Sequence, residues 1–322
     1  MTEKKPLRVL FAGSPAIAVP ALKALSGFCR DEGIAVLAGL LTNPDSPRGR
    51  SSKPQPTECA TALEGSDVPI LKPEKLGSAE REIVKSLNPD ILVSFASGKI
   101  FGPKFLGLFP LGGINIHPSL LPKYRGPTPI PAAIINMESE TGISIQVLAQ
   151  EIDSGDIFVQ EKVPVGERET TESLSAVMAE KAAELLPQVL SGIKSGILQR
   201  QRQDPAKASY CRLTEKSDGL IDWNMSAAQI DARIRAYTPW PLCRTMHGDL
   251  QLFILEARAL PGDGSHDAVP GKVLGSDKNT GILVQTGSGV LAVSALQYRA
   301  KKALEWKVFL NGARNFINEK LG

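Results

Sequence analysis

Arg8-Val-Leu-Phe-Ala-Gly13-Ser14-Pro15, followed by a helical pattern from Val19 to Leu25, is the stretch on which the fold turns. A short apolar run with no polar alternation, closed by glycine, reads as a strand covered on both faces that turns tightly into a helix. Ala35 to Thr42 repeats the strand signal, and Ile91 to Ala96 does so again after a charged helical stretch, Ala79 to Leu87. Strand alternating with helix predicts a parallel, doubly wound sheet. In such a sheet, sites gather at the carboxyl ends of the strands, where Gly13, Asn43, Phe95 and His117 are expected. No Gly-x-Gly-x-x-Gly follows the first strand, so a dinucleotide cofactor is not expected.

The fold class is therefore α/β, a Rossmann-like doubly wound amino-terminal domain, with room in 322 residues for a second domain. The polar run Gln199-Arg-Gln-Arg-Gln-Asp-Pro-Ala-Lys207 reads as the linker, near 199–210, between domains at 1–207 and 211–322. No apolar run reaches a signal core or the roughly 18–20 residues of a membrane span, so a cytoplasmic protein is expected. Cys29, Cys59, Cys211 and Cys243 are scattered, which signals neither a disulfide framework nor a metal site; they read as small buried apolar residues. The net charge of +3 comes entirely from the last third: residues 1–207 hold 23 basic and 23 acidic side chains, residues 208–322 hold 14 and 11. A basic tail fits a polyanionic partner or simply a charged surface.

Gly112 to Asp156 carries the chemistry. Asn115 and His117 alternate with Ile114 and Ile116, so amide and imidazole share one face of a strand. Pro118 biases His117 toward an extended end, and an imidazole there can move protons near neutral pH. Asp153, in Asp-Ser-Gly-Asp after a second apolar run, could be brought beside His117 by an adjacent strand and would then set its tautomer. Taken alone, such a pair could equally serve only to satisfy loop backbone.

Asn115-Ile-His117-Pro-Ser119-Leu-Leu-Pro122-x-x-Arg125-Gly126, with Glu140-Thr-Gly142 and Ile152-Asp153-Ser-Gly155-Asp156, resembles the signature of the folate-dependent formyltransferases. The resemblance implies 10-formyltetrahydrofolate as co-substrate and Asn115, His117 and Asp153 as the catalytic set, with no metal. Asn115 would stabilise the oxyanion, His117 would handle the amine proton, and Asp153 would tune His117; activity should then fall below a pKa of about 6–7. It also implies that Ser119, Leu120, Leu121 and Pro122 form the folate loop, although both leucines read equally well as core anchors.

The acceptor is suggested by the two ends of the chain. Pro44-Asp45-Ser-Pro47-Arg48-Gly49-Arg50 and Lys53 resemble a basic loop of the methionyl-tRNA formyltransferases that reaches the initiator tRNA acceptor stem. Ala16 departs from that pattern, standing where an acid is usual. In the tail, Ser226 and Gln229 predict a capping box with Met225 and Ile230 as a staple, and short strands then predict a small antiparallel, OB-like barrel. Ile221-Asp222-Trp223, Pro239-Trp240-Pro241, Pro270-Gly271 and Lys301-Lys302 resemble that family's tail, which implies tRNA contact by the two lysines. The partner so implied is methionyl initiator tRNA, met by a monomer. An amino-sugar formyltransferase and an inactive RNA-binding homologue are the competing readings; the first would lack the basic loop, the second would not need Asn115, His117 and Asp153.

Overall fold

The computed structural model describes residues 5–47, 52–261, 269–313 and 315–322. Its first strands are β1 (Leu7–Gly13), β2 (Ala35–Leu41), β3 (Ser46–Pro47), β4 (Pro54–Gln55), β5 (Ile70–Leu71), β6 (Ile91–Phe95), β7 (Gly113–His117), β8 (Glu140–Val147) and β9 (Ile157–Pro164). Seven of them form one sheet in the order β5-β2-β1-β6-β7-β8-β9. Pairing is parallel from β5 to β7 and antiparallel across β7–β8 and β8–β9. The doubly wound expectation is met: Val9, Leu10 and Phe11 are fully buried, as a strand covered on both faces requires. One face of the sheet packs Leu10, Ala12, Leu41 and Leu92 against Val84, Phe105 and Phe109.

The chain divides into two compact units. The first holds the residues through Pro129, Glu140–Pro164 and Ser175–Arg212; the second holds Ile130–Ser139, Val165–Leu174 and Leu213–Gly322. Two short segments from earlier in the chain thus sort with the tail. The run read as a linker belongs to the first unit and pairs with it: Ile157 and Gln201 exchange backbone hydrogen bonds at 2.8 Å each way.

Helix Thr171–Ser195 begins at a capping threonine, Thr170 Oγ1 accepting from the Ser173 N–H at 3.1 Å. It continues past Pro187, burying Leu174, Met178, Leu185 and Val189 and leaving Val177 exposed. Among the described residues no helix is long and apolar enough to cross a membrane.

The second unit is built on β10 (Cys243–His247), β11 (Leu250–Leu260), β12 (Val273–Asp277), β13 (Gly281–Gln285), β14 (Val290–Tyr298) and β15 (Leu304–Glu305). They pair antiparallel in the order β10-β11-β14-β13-β12, with β15 on β14. Residues 319–322 bridge the two ends of this path. Gly322 donates to the Met246 carbonyl at 3.0 Å, Leu321 to Gly271 at 2.9 Å, and Val273 to Glu319 at 2.9 Å. Backbone groups that an open sheet would leave unpaired are satisfied in this way.

Helix Ala227–Ala236 has the predicted box: Ser226 Oγ accepts from Gln229 N at 3.2 Å, and Gln229 Oε1 accepts from Ser226 N at 3.0 Å. On that helix Asp231 is buried, a placement a carboxylate tolerates only with donors around it. Arg168 Nη1 reaches it at 3.0 Å and Arg235 Nε at 3.2 Å. Arg168 Nη2 continues to the Ala257 carbonyl at 2.8 Å, and Thr171 Oγ1 donates to Ala236 at 2.6 Å. These bonds explain why residues 165–174 belong with the tail.

Candidate active site

Gly13, Phe95 and His117 end parallel strands β1, β6 and β7, and Asn43 follows β2 by two residues, so the strand ends converge as expected. Along β7, Ile114 and Ile116 face the core while Asn115 and His117 lie on the other face. Register places Gln146 of β8 opposite Asn115, and Ser144 opposite His117. A short turn after β8 then returns Asp153 to the same spot, with a positive φ of 50°.

Sequence reasoning joined Asn115, His117 and Asp153, and they are together. Asp153 Oδ1 accepts from Asn115 Nδ2 at 3.2 Å and from Gln146 Nε2 at 2.9 Å; Oδ2 accepts from the Gly126 N–H at 2.8 Å. His117 Nδ1 stands 3.5 Å from Oδ2. On its far side His117 Nε2 lies 2.8 Å from the Tyr124 carbonyl oxygen. Both neighbours only accept, so a neutral ring donates from Nε2 to the nearer of them, the Tyr124 carbonyl, and a protonated ring can serve both. Burial lowers the imidazole pKa below its ordinary 6.5, and the Asp153 charge and the Tyr124 carbonyl offset that only in part.

Two glycines let the backbone close on this point. A methyl group on Gly155 would lie 1.9 Å from the Val147 carbonyl oxygen. At Gly126, whose φ is +113°, it would lie 2.2 Å from that of Cys211.

The Ser119–Pro122 loop is held from within. Ser119 is fully buried, its Oγ donating to the Lys123 carbonyl at 2.6 Å, while its own carbonyl accepts from Ser144 Oγ at 2.6 Å. Leu121 is buried, its N–H on Ser144 Oγ at 3.2 Å and its carbonyl on Gln160 Nε2 at 2.8 Å. Leu121 is therefore a core anchor, whereas Leu120 is half-buried.

Arg48 and Arg50 lie outside the described residues. Lys53 is exposed just before β4, which pairs with β3 as a small ribbon, and Asp45 at its base is held by Lys72 Nζ at 2.6 Å. Lys301 and Lys302 are exposed in the turn after β14. The four cysteines are free; burial pushes Cys59 and Cys243 up to about 12, and Cys211 is half-buried with Sγ 3.4 Å from the Arg125 carbonyl. Among the described residues no group of three or more His, Cys, Asp and Glu side chains could hold a metal ion.

Sequence reasoning missed Gln146 and Gln203. Gln146 could have been found from its strand periodicity with Ser144; Gln203 could not, because its polar neighbours read as linker.

Two family models match this chain, formyl transferase over residues 8–190 and formyl transferase, C-terminal domain, over residues 214–314. Fold and site thus define a formyl transferase. The methionyl-tRNA formyltransferase of Treponema denticola is 49% identical over 97% of this chain and 98% of its own length. That of Treponema pallidum, Nichols strain, is 41% identical over 98% and 99%. The chain belongs to the methionyl-tRNA formyltransferase family. A solved N-formyltransferase from Helicobacter canadensis, in complex with folinic acid and dTDP-3-aminofucose, shares the fold, with a TM-score of 0.64 at 17% identity over 89% of this chain and 99% of its own.

Proposed function

We propose that this chain moves the formyl group of 10-formyltetrahydrofolate to the α-amino group of methionyl initiator tRNA, as a monomer in the cytoplasm. The observation that carries the chemistry is the Asn115–His117–Asp153 cluster at the strand ends, with His117 buried and its two partners part-buried; similarity over the full length to methionyl-tRNA formyltransferases carries the acceptor. The amine nitrogen attacks the formyl carbon, and the carbonyl oxygen becomes an oxyanion that Asn115 Nδ2 can meet with its second hydrogen. His117 Nδ1, holding a lone pair, takes the amine proton; the imidazolium so formed has Asp153 Oδ2 beside one N–H and the Tyr124 carbonyl on the other. That proton returns to folate N10 as the carbon–nitrogen bond breaks. An oxyanion donor of this kind contributes roughly 3 kcal/mol.

Ser119, Leu120, Leu121 and Pro122 would line the folate site, with the half-buried Leu120 side chain meeting the ligand and the loop's internal hydrogen bonds holding it in shape. The unit around β10–β15 with Lys301 and Lys302, and the loop with Arg48, Arg50 and Lys53, would hold the tRNA through its phosphates. The proposed division is a catalytic domain over 1–207 and a tRNA-binding domain over 211–322, joined near 199–210.

The test is transfer of radiolabelled formyl to methionyl initiator tRNA, beside methionyl elongator tRNA and a nucleotide-linked amino sugar, with Asn115→Ala as control. Label is expected on the initiator tRNA alone and lost in the variant. Label on the sugar would overturn the acceptor, and no label anywhere would point to an RNA-binding homologue. Replacing Arg48, Arg50 and Lys53 together by alanine is expected to raise KM for tRNA about tenfold or more and to flatten its salt dependence.

A pH profile tests the base. Because burial lowers the His117 pKa, the neutral ring persists below pH 6.5, so kcat should be flat from pH 8 to about 6.5 and fall only at lower pH. An acid limb centred above pH 6.5 would remove His117 from the role. The same shift gives stability a sign: below about pH 6.5 the unfolded chain takes up a proton that the folded one refuses, so stability is lost as pH falls.

A further inference from the structure

Arg125 and Gln203 are buried, with relative exposures of 5% and 6%, and Gln146 is at 1%; the formyl-transfer steps above use none of them. No ion pair to Arg125 is present among the described residues. Its guanidinium instead places Nε at 3.1 Å and Nη2 at 2.7 Å from Gln203 Oε1, and Nη1 at 3.1 Å from Tyr210 Oη.

We propose that Arg125, Gln203 and Gln146 form a one-way hydrogen-bond relay that positions the Asp153 carboxylate, with Gln203 as its pivot. A guanidinium has donors and no acceptor, so Gln203 must turn its oxygen toward it. The Gln203 amide nitrogen then faces the other way, where its two hydrogens are shared among Gln146 Oε1 at 3.1 Å and the carbonyl oxygens of Asp153 at 2.9 Å and Gly155 at 2.7 Å. With its oxygen occupied, Gln146 must turn its own nitrogen to Asp153 Oδ1, at 2.9 Å. Each amide is oriented by the one before it, and no member can flip while Arg125 is in place. Gln203 also fastens the turn itself, since both carbonyls it binds flank Ser154, next to the residue whose φ is +50°. Glutamine is the side chain this requires. A carboxylate at 203 would satisfy Arg125 but point acceptors at Gln146 Oε1 and two carbonyls.

This proposal rests on the reading of Asp153 as part of the reacting set, and the experiment separates the two. Gln203→Glu, Gln146→Met and Asp153→Asn are assayed side by side for kcat, both KM values, the pH profile of kcat and Tm. For the first two, kcat is expected to fall about 10- to 100-fold, the cost of misplacing a reactive group by up to an ångström. Both KM values should stay within about twofold, and the acid limb should move, because Asp153 shifts against His117. Gln146→Met keeps the volume of a buried side chain and removes only its polarity, so its Tm should hold within a few degrees. The double variant should lose no more than the worse single one, as members of one unit do. If Gln203→Glu fails to fold, Gln146→Met still decides. Wild-type kcat and acid limb in Gln146→Met, with Asp153→Asn collapsed, would overturn the relay alone; full rate in Asp153→Asn would overturn the reading of the site beneath it.

Discussion

Asp153→Asn is expected to lower kcat for formyl transfer by about 10³-fold or more while the protein stays folded. Three donors converge on this carboxylate: the Asn115 and Gln146 amides on Oδ1 and the Gly126 N–H on Oδ2. An asparagine has one oxygen to offer. Whichever way its amide turns, an NH₂ group faces either the two side-chain amides or the Gly126 N–H. Donor against donor would push the side chain off its place, and Asn115 would lose the partner that aims it. The second loss is charge. His117 is already disfavoured as a cation by burial, and the Asp153 carboxylate is the leading influence in the other direction. Removing it makes imidazolium formation at Nδ1 harder, which is the step the proposed base must take. Single-turnover formyl transfer at saturating tRNA measures the chemical step directly. A variant within tenfold of wild type would show that Asp153 serves only the backbone of its turn.

Asp231→Ala is expected to destabilise the second unit by about 3 kcal/mol, near the low end for breaking a buried ion pair, because Arg168 is partly exposed. Asp231 and Arg235 are nearly buried, with side-chain exposures of 10% and 12%, so truncation leaves Arg235 Nε without its acceptor inside the protein. Arg168 keeps the Ala257 carbonyl, and Arg235 Nη1 keeps the Glu169 carbonyl at 2.8 Å. Those backbone bonds fasten residues 165–174 to the tail, and Asp231 orients both arginines that make them. Thermal unfolding followed by circular dichroism should show a Tm about 10 °C lower, at roughly 2–4 °C per kcal/mol for a unit of this size. A shift below about 2 °C would mean that the backbone bonds suffice. Asp231→Asn should lose less, since its remaining oxygen can still accept from one arginine.

How much of this was legible in the residues differs from element to element. The apolar run at Val9 to Ala12 and the alternation at Ile114 to His117 are local patterns, set by whether a strand is covered on two faces or one, so the parallel sheet and the shared face of Asn115 and His117 could be read directly. The capping box at Ser226 and Gln229 lies within one helical turn and was equally plain.

Gln203 marks the opposite limit. Its neighbours are polar and its run holds a proline, which is how a solvated linker is written, yet the chain folds back so that Gln201 pairs with Ile157 and Gln203 enters the site. The attachment of residues 165–174 to the tail was hidden for the same reason, since an arginine at 168 and an aspartate at 231 look like surface charge until a packed helix buries one of them. The sequence alone thus determined the central parallel strands, which face carries Asn115 and His117, and the family to which such a motif belongs. Tertiary structure alone decided which amides surround Asp153, which acceptors flank the two nitrogens of His117, and that the last residues close the tail's strands. The first set depends on periodicity along the chain, the second on contacts between residues far apart in it, which no local pattern encodes.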